Sequence, residues 1–177
     1  MEALQGLDQA GRVLYIGTFS KVLFPALRLG YLIAPTELVE PLLAMRRFID
    51  VHIPILEQMA LTDFMNEGHF ARHLRQMLHH YSPRRDLLHR ELRAHLGGLL
   101  EVHAPEAGMH LVGWLPSGKD DQRAAQLAAQ VGIEVMAISK YSLEPLSRGG
   151  LTFGYSGTNE EAIIHGVKTL AAALEQL

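Results

Sequence analysis

The alternation of apolar and polar positions predicts two short strands near the start of the chain. The run from Val13 to Phe19 is apolar and passes into the polar pair Ser20-Lys21, which is typical of a buried strand that ends in a turn. A second apolar run covers Leu29 to Ala34, and Pro35 closes it. We therefore expect Lys21 to lie on a polar turn between two strands.

Apolar side chains at three- and four-residue spacing predict the helices of the middle of the chain. One helix should begin at Thr36 as its N-cap, and another should span Ile55 to Glu67 and stop at Gly68. From His69 onward the same spacing predicts a long amphipathic helix, which Pro83 should kink or break.

After Gly97-Gly98 the pattern changes to short apolar runs. Helices should begin at Asp120-Asp121 and behind the T-x-x-E pattern of Thr158 to Glu161, a capping box. A turn over residues 105–108 should join the first two of four strands, which we expect at Leu99–Ala104, Met109–Leu115, Ile133–Ile138 and Leu151–Tyr155. The second half is thus predicted to be a small sheet with helices on one face, and the whole chain an α/β fold.

Composition and charge exclude several classes of protein. The 177 residues are 48% hydrophobic, which is enough for a sizeable core and argues against disorder. The net charge of −3 gives no general attraction to nucleic acid or to an anionic membrane. There is no cysteine, no signal-peptide pattern at Met1 and no apolar run of membrane-spanning length, so we expect a soluble cytoplasmic protein.

The ten histidines and the arginine-rich helix each suggest a second function. His69 and His73 have the H-x-x-x-H spacing of a zinc peptidase, but Phe70 occupies the position of the required glutamate, so we predict no metal. The arginines between residues 72 and 93 alternate with Asp86 and Glu91, which favours a solvated helix face over a nucleic-acid patch.

Lys21 and its neighbours have the chemistry needed to hold an aldehyde cofactor that carries a phosphate. A lysine that forms an imine must be held rigidly, and the end of a strand provides that. The hydroxyls of Thr18 and Ser20 could donate to phosphate oxygens, and Arg28 could bind two of them at once. On spacing alone, an ordinary surface lysine remains the alternative, because most lysines are solvated.

The motif around Lys21 resembles that of a known family. "GTFSKVLFPALRLGYLIAP" looks like the cofactor-lysine motif of fold-type I, class I/II aminotransferases, in particular the aminotransferase-like domain of MocR/GabR regulators in the GntR family. The stretches GHFARHLRQM, RRDLL, GMHLVGWL and GLTFGYSG follow in the order which that family shows. The resemblance implies the C-terminal part of a pyridoxal-phosphate-dependent transferase, with residues 1–50 left from the large domain and residues 51–177 forming connecting helices and the small domain.

The resemblance also implies roles for single residues. Lys21 would bind pyridoxal 5′-phosphate as an imine in the intact protein, and Thr18, Ser20 and Arg28 would contact the phosphate. An amino acid would be the substrate or effector, the protein would be a homodimer, and any DNA contact would come from an N-terminal domain that this sequence does not contain. The family gives no reason to expect a metal or a membrane partner.

Two departures from the family pattern matter. The family's cofactor aspartate lies upstream of the lysine, where this sequence offers only Asp8, in a polar run that predicts a loop. Thr152 stands where many aminotransferases have an arginine that clamps the substrate carboxylate, and Arg148 is the nearest alternative. We therefore expect weak or absent cofactor binding by these 177 residues alone.

Three functions remain open at this stage. The leading hypothesis is the effector-sensing domain of a MocR-type transcriptional regulator. The first alternative is a stand-alone aminotransferase that acts on an amino acid and a 2-oxo acid. The second is a truncated fragment that dimerises without catalysis, because fold-type I sites are built at a dimer interface.

Overall fold

The computed structural model describes residues 3–51, 53–105 and 108–177, which form two compact units, residues 1–74 and 75–177. The first unit contains α1 (Leu4–Leu7), β1 (Tyr15–Thr18), β2 (Gly30–Ile33), α2 (Thr36–Ile49) and α3 (Ile55–Asn66). Helix α4 (His69–Leu96) begins in the first unit and ends in the second. The second unit continues with β3 (Glu101–His103), β4 (His110–Trp114), α5 (Asp121–Gln130), β5 (Met136–Ala137), β6 (Gly150–Gly154) and α6 (Glu160–Leu174).

In the first unit β1 and β2 form a two-stranded antiparallel sheet, with Tyr15 opposite Ile33 and Thr18 opposite Gly30. The predicted strands are present, but the prediction that the first is buried is wrong: residues along β1 are half-buried or exposed. The reason is the lack of a core here, since Leu29 is the one buried hydrophobic residue among those described in this unit. Large apolar side chains stay in solvent instead, including Ile16, Phe48 and Leu56 at 78%, 92% and 75% exposure.

The helix predictions are largely confirmed. Helix α3 ends just before Gly68, whose φ of +76° is the left-handed conformation that glycine adopts readily. Helix α2 starts at Thr36 itself, so Pro35 is the N-cap rather than Thr36. The predicted break at Pro83 is absent, because α4 continues as one 28-residue helix whose later leucines are buried in a core.

The second unit is built on a four-stranded antiparallel sheet with the order β3-β4-β6-β5. Alternate residues of β4 and β6 point into one core, as Leu111 and the opposite Phe153 show. Helices α4, α5 and α6 contribute the remaining core side chains, among them Leu92, Leu127 and Leu170. The predicted sheet with helices on one face is therefore confirmed.

Smaller differences lie at the ends of elements. The strand predicted over residues 133–138 shortens to β5, which is followed by a 3₁₀ turn over Ile138–Tyr141. Asn159, rather than Thr158, caps α6 by accepting from the Ala162 amide. Tyr155 is buried in the core, whereas Tyr141 is 67% exposed. Residues 106 and 107 of the predicted turn lie outside the described residues.

A buried carboxylate fastens three segments of the second unit. Asp121, only 4% exposed, accepts hydrogen bonds from the Ser139 amide (2.9 Å) and hydroxyl (2.7 Å) and from the Gly150 amide (3.1 Å). Burial opposes the charged form, but these donors outweigh it and hold the pKa of Asp121 below its ordinary value of 3.8. The charge therefore ties the start of α5 to the 3₁₀ turn and to β6.

We expect the two units to differ in local stability. The second unit encloses a core and the described residues of the first unit do not, so amides of the first unit should exchange with deuterium faster, by roughly tenfold or more at comparable elements. Hydrogen exchange followed by mass spectrometry measures this. Equal protection of α3 and α6 would contradict it.

We expect Asp121→Asn to lower the free energy of unfolding by about 1 to 3 kcal/mol at neutral pH, because the charged acceptor is lost. The folded pKa lies below 3.8, so the unfolded chain takes up the proton first and the wild-type advantage shrinks as pH falls below 3.8. Urea titrations at several pH values measure the difference. Asp120→Asn is the control, because Asn also caps a helix well.

Candidate functional site

Lys21 lies on a short turn that follows β1. The turn is closed by the Leu23 amide, which donates to the Phe19 carbonyl at 2.8 Å. The Ser20 amide donates to the Thr18 hydroxyl oxygen at 3.2 Å, so Thr18 shapes the start of the turn with its side chain. Lys21 itself is exposed. The predicted turn is thus an ordered structure with an accessible amine.

The Leu29 carbonyl connects this turn to Arg28. It accepts from the Phe19 amide at 3.0 Å and from the Thr18 hydroxyl at 3.5 Å. Arg28, one residue earlier, ends the 3₁₀ turn Pro25–Leu27 with a φ of 50°, in the left-handed region that non-glycine residues seldom adopt. One backbone oxygen therefore joins the segment that contains Thr18, before Lys21, to the residue that follows Arg28.

Two glycines allow the strands that carry the site to pair closely. A side chain at position 17 would overlap the ring of Tyr31, and one at position 30 would meet the Gly17 carbonyl at 2.9 Å. Tyr31 in turn lies between Tyr15 and Phe19, with ring centroids 5.9 and 5.4 Å away. Larger residues at these two positions would separate the strands and displace the turn.

The donors of this region suit a phosphorylated aldehyde. Lys21 and Arg28 are both exposed, and none of the ion pairs among the described residues includes either of them. Together with the hydroxyls of Thr18 and Ser20 they supply one amine for an aldehyde and hydrogen-bond donors for a dianion. Arg28 also lines a cavity of about 300 Å³ with Phe19, Tyr31, Arg46, Gln58 and Thr62. The residues present therefore fit pyridoxal 5′-phosphate.

The carboxylate of Asp8 is already hydrogen-bonded within the loop in which the sequence predicted it to lie. Its carboxylate accepts from the backbone amides of Ala10, Arg12 and Val13. Hydrogen bonds from the Val13, Ala10 and Arg12 amides hold the pKa of Asp8 below 3.8. The carboxylate organises its own loop, which leaves the pyridine-binding role of the family's aspartate unfilled among the described residues.

In the second unit the guanidinium of Arg148 is already engaged by residues on and next to the sheet. It contacts Glu101 at 2.6 Å and donates to the carbonyls of Leu115 (2.6 Å) and Trp114 (3.3 Å). Hydrogen bonds from His103 and from Arg148 lower the pKa of Glu101 below its ordinary value of 4.5. This geometry assigns Arg148 a structural role and opposes the hypothesis that it clamps a substrate carboxylate.

Thr152 lies on β6 on the face opposite to the core side chains. It is half-buried and pairs with Val112 of β4 and Met136 of β5. Its strand neighbours on both sides are thus apolar, and a hydroxyl has no charge with which to hold a carboxylate.

Sequence reasoning missed the support that the start of α4 gives to the lysine turn. His73 Nε2 lies 2.9 Å from the Val22 carbonyl, and Phe70 packs against Phe19. The sequence analysis had considered His73 only as one half of an H-x-x-x-H metal pair. No local pattern could reveal a contact between residues 51 positions apart.

Two further possibilities find no support in the part of the chain that the structure describes. No group of three His, Asp or Glu side chains there could hold a metal ion. Of the helices over these residues, none combines the length and the hydropathy needed to cross a bilayer.

Comparisons with known proteins identify the family of the chain. Residues 1–169 match the family described as aminotransferase class I and II. The chain is 34% identical over 174 residues to the probable rhizopine catabolism regulatory protein MocR of Rhizobium meliloti, a match that covers 97% of this chain and 35% of the relative. The chain therefore spans about a third of that curated relative.

Solved structures give the same fold. The kynurenine aminotransferase of Pyrococcus horikoshii superimposes with a TM-score of 0.91 at 24% identity, over 98% of this chain and 43% of that one. The α-aminoadipate aminotransferase LysN of Thermus thermophilus, complexed with N-(5′-phosphopyridoxyl)-L-leucine, gives 0.84 at 26% identity, over 93% and 42%. The family match over most of the sequence and these superpositions lead to one conclusion: the chain belongs to the class I and II aminotransferase family and has the fold-type I architecture.

Proposed function

We propose that this chain is the C-terminal, cofactor-lysine part of an aminotransferase-like protein, and that in the intact protein Lys21 binds pyridoxal 5′-phosphate covalently. The observation that carries the proposal is the ordered turn that presents Lys21 to solvent directly after Ser20, with the start of the turn shaped by the Thr18 hydroxyl. Arg28, which takes part in none of the ion pairs among the described residues, is joined to the same turn through Leu29. Residues 1–50 then correspond to the large domain, and residues 51–177 to connecting helices and the small domain.

Each residue has a definite task in this proposal. When bound, pyridoxal 5′-phosphate supplies an aldehyde and an electron-withdrawing ring. Lys21 would hold the group through Nζ, and a free Nζ could accept and return a proton. Ser20 donates a hydrogen bond to the phosphate, and Thr18 does so by turning its one hydroxyl hydrogen from the Leu29 carbonyl, 3.5 Å away, to a phosphate oxygen. The guanidinium of Arg28 binds two phosphate oxygens and balances their charge.

The most specific form of the proposal is the effector-sensing domain of a MocR-type transcriptional regulator. The similarity to MocR of Rhizobium meliloti favours it. So does Thr152, because a site without a carboxylate-binding arginine on β6 suits ligand sensing better than turnover. An amino acid would be the effector, DNA contact would belong to an N-terminal domain, and the intact protein would act as a cytoplasmic homodimer.

A stand-alone aminotransferase is the second candidate, favoured by the superposition on LysN. The two differ in a measurable way. Formation of a 2-oxo acid from an amino acid would support the enzyme, whereas ligand-dependent DNA binding by the intact protein would support the regulator.

We expect borohydride treatment of the protein expressed from its native locus to fix the cofactor on Lys21. Peptide mass spectrometry should find the pyridoxyl mass on the Lys21 peptide and not on those of Lys119, Lys140 or Lys168. Lys21→Ala should abolish the label, because no other amine lies on this turn.

The matched control is Lys140→Ala, which removes another exposed lysine and should leave the label in place. The 177-residue chain by itself should bind the cofactor weakly, since Asp8 is engaged by its own loop. Labelling that survives Lys21→Ala would disprove the proposed role of the lysine.

Substitution of Arg28 should change the affinity for pyridoxal phosphate without lowering the stability of the fold. Arg28→Gly removes the left-handed strain, so the free energy of unfolding should stay level or rise by up to about 1 kcal/mol. Affinity for pyridoxal phosphate should fall about tenfold or more, because a charge-assisted contact is lost. Absorbance titration and thermal unfolding measure the two effects.

Arg28→Lys is the companion variant, which keeps the charge but loses the bidentate contact. Its affinity for pyridoxal phosphate should therefore lie between those of the wild type and of Arg28→Gly. Wild-type affinity in Arg28→Gly would show that this residue does not touch the phosphate.

A further inference from the structure

The turn that carries Lys21 is held on both sides of the lysine by the first turns of helix α4. Before the lysine, the ring of Phe19 packs edge-on against Phe70, with centroids 5.9 Å apart. After it, the Val22 carbonyl lies 2.9 Å from His73 Nε2. The lysine thus has an anchored residue within two positions on either side.

Both anchors come from one face of the helix. Phe70 and His73 are three residues apart, which places them side by side on α4. A carbonyl oxygen can only accept a hydrogen bond, so Nε2 of His73 carries the proton that is donated to Val22. The ring of His73 is half-buried, which strengthens the bond relative to one in water.

The neighbouring histidine does not compete for this role. His69 Nε2 lies 3.0 Å from Glu67 on the loop before the helix, away from the Val22 carbonyl. Its ring also lies near Phe64, with centroids 5.6 Å apart. Of the H-x-x-x-H pair, His73 is therefore the one that contacts the lysine turn.

We propose that His73, supported by Phe70, is a positioning residue that fixes the direction in which the Lys21 side chain leaves its turn. The inference rests on the proposed cofactor role of Lys21. A single hydrogen bond at the Val22 carbonyl limits rotation of the Val22–Leu23 peptide, one residue after the lysine, and the aromatic contact limits movement of Phe19, two residues before it. Without the His73 hydrogen bond the Lys21 amine would sample more directions.

The test compares His73→Leu, which removes the donor, with His73→Gln, which retains an N–H at similar reach. Amide hydrogen exchange of the 177-residue chain is the first measurement. In His73→Leu the Leu23 amide should exchange roughly two- to tenfold faster, the change expected for one lost hydrogen bond, while the Tyr31 amide in β2 stays unchanged. His73→Gln should return the Leu23 rate towards that of the wild type.

The control is His80→Leu, which removes an exposed histidine from the same helix and should change neither rate. An unchanged Leu23 rate in His73→Leu would overturn the proposal. So would an equal increase at Tyr31, because that would show a general loss of packing instead of a local release.

A second measurement connects the anchor with the lysine. The protein from its native locus is treated with pyridoxal phosphate and borohydride, and the label on Lys21 is divided by that on Lys140. His73→Leu should lower this ratio about two- to tenfold, and His73→Gln should preserve most of it. If wild type shows no preference for Lys21, the proposed function fails while the exchange result still decides the positioning role. A preference that His73→Leu leaves intact overturns the positioning role alone.

Discussion

The Leu29 carbonyl is the interaction on which the proposed site depends. By accepting from the Phe19 amide and from the Thr18 hydroxyl, it joins the end of β1 to the start of β2. The lysine turn leaves from one side of this junction and Arg28 stands on the other. The segments that carry Lys21 and Arg28, the proposed aldehyde-binding amine and phosphate-binding guanidinium, are thus joined without any contact from the side chains of these two residues.

The two units make unequal contributions to stability. The second unit buries leucines from α4 and residues of its sheet and helices in one core, and the Asp121 hydrogen bonds add a directional constraint. The first unit carries the candidate site but keeps most of its large apolar side chains in solvent. Monomeric proteins seldom expose so much apolar surface, so a covering protein surface would be expected to stabilise this unit. The local contacts of the turn, from Thr18, Leu29, Phe70 and His73, accordingly carry more weight than they would in a well-packed domain.

Much of this structure could be predicted from the sequence because its signals are local. Helical spacing and Gly68 placed α3 within a residue of its bounds, and the alternating runs located the strands of the second sheet. The apolar runs on either side of Lys21 predicted the polar turn on which it lies. Where local rules compete with packing they failed: Pro83 predicts a break, yet burial of Leu87 and Leu88 just beyond it favours a continuous helix.

The remaining features could not be predicted because they depend on distant partners. A buried strand was expected at Val13–Phe19 from its apolar residues, but burial needs a covering layer that the described residues do not supply. The roles of His73 and Arg148 depend on carbonyls far along the chain. The central claim is that Lys21 carries the cofactor within this turn, and a crystal structure of the native-locus protein with pyridoxal phosphate tests it most directly. The account predicts continuous density from Lys21 Nζ to the cofactor, with phosphate oxygens within hydrogen-bond distance of Thr18, Ser20 and Arg28. Cofactor density on another lysine, or a phosphate remote from Arg28, would contradict it.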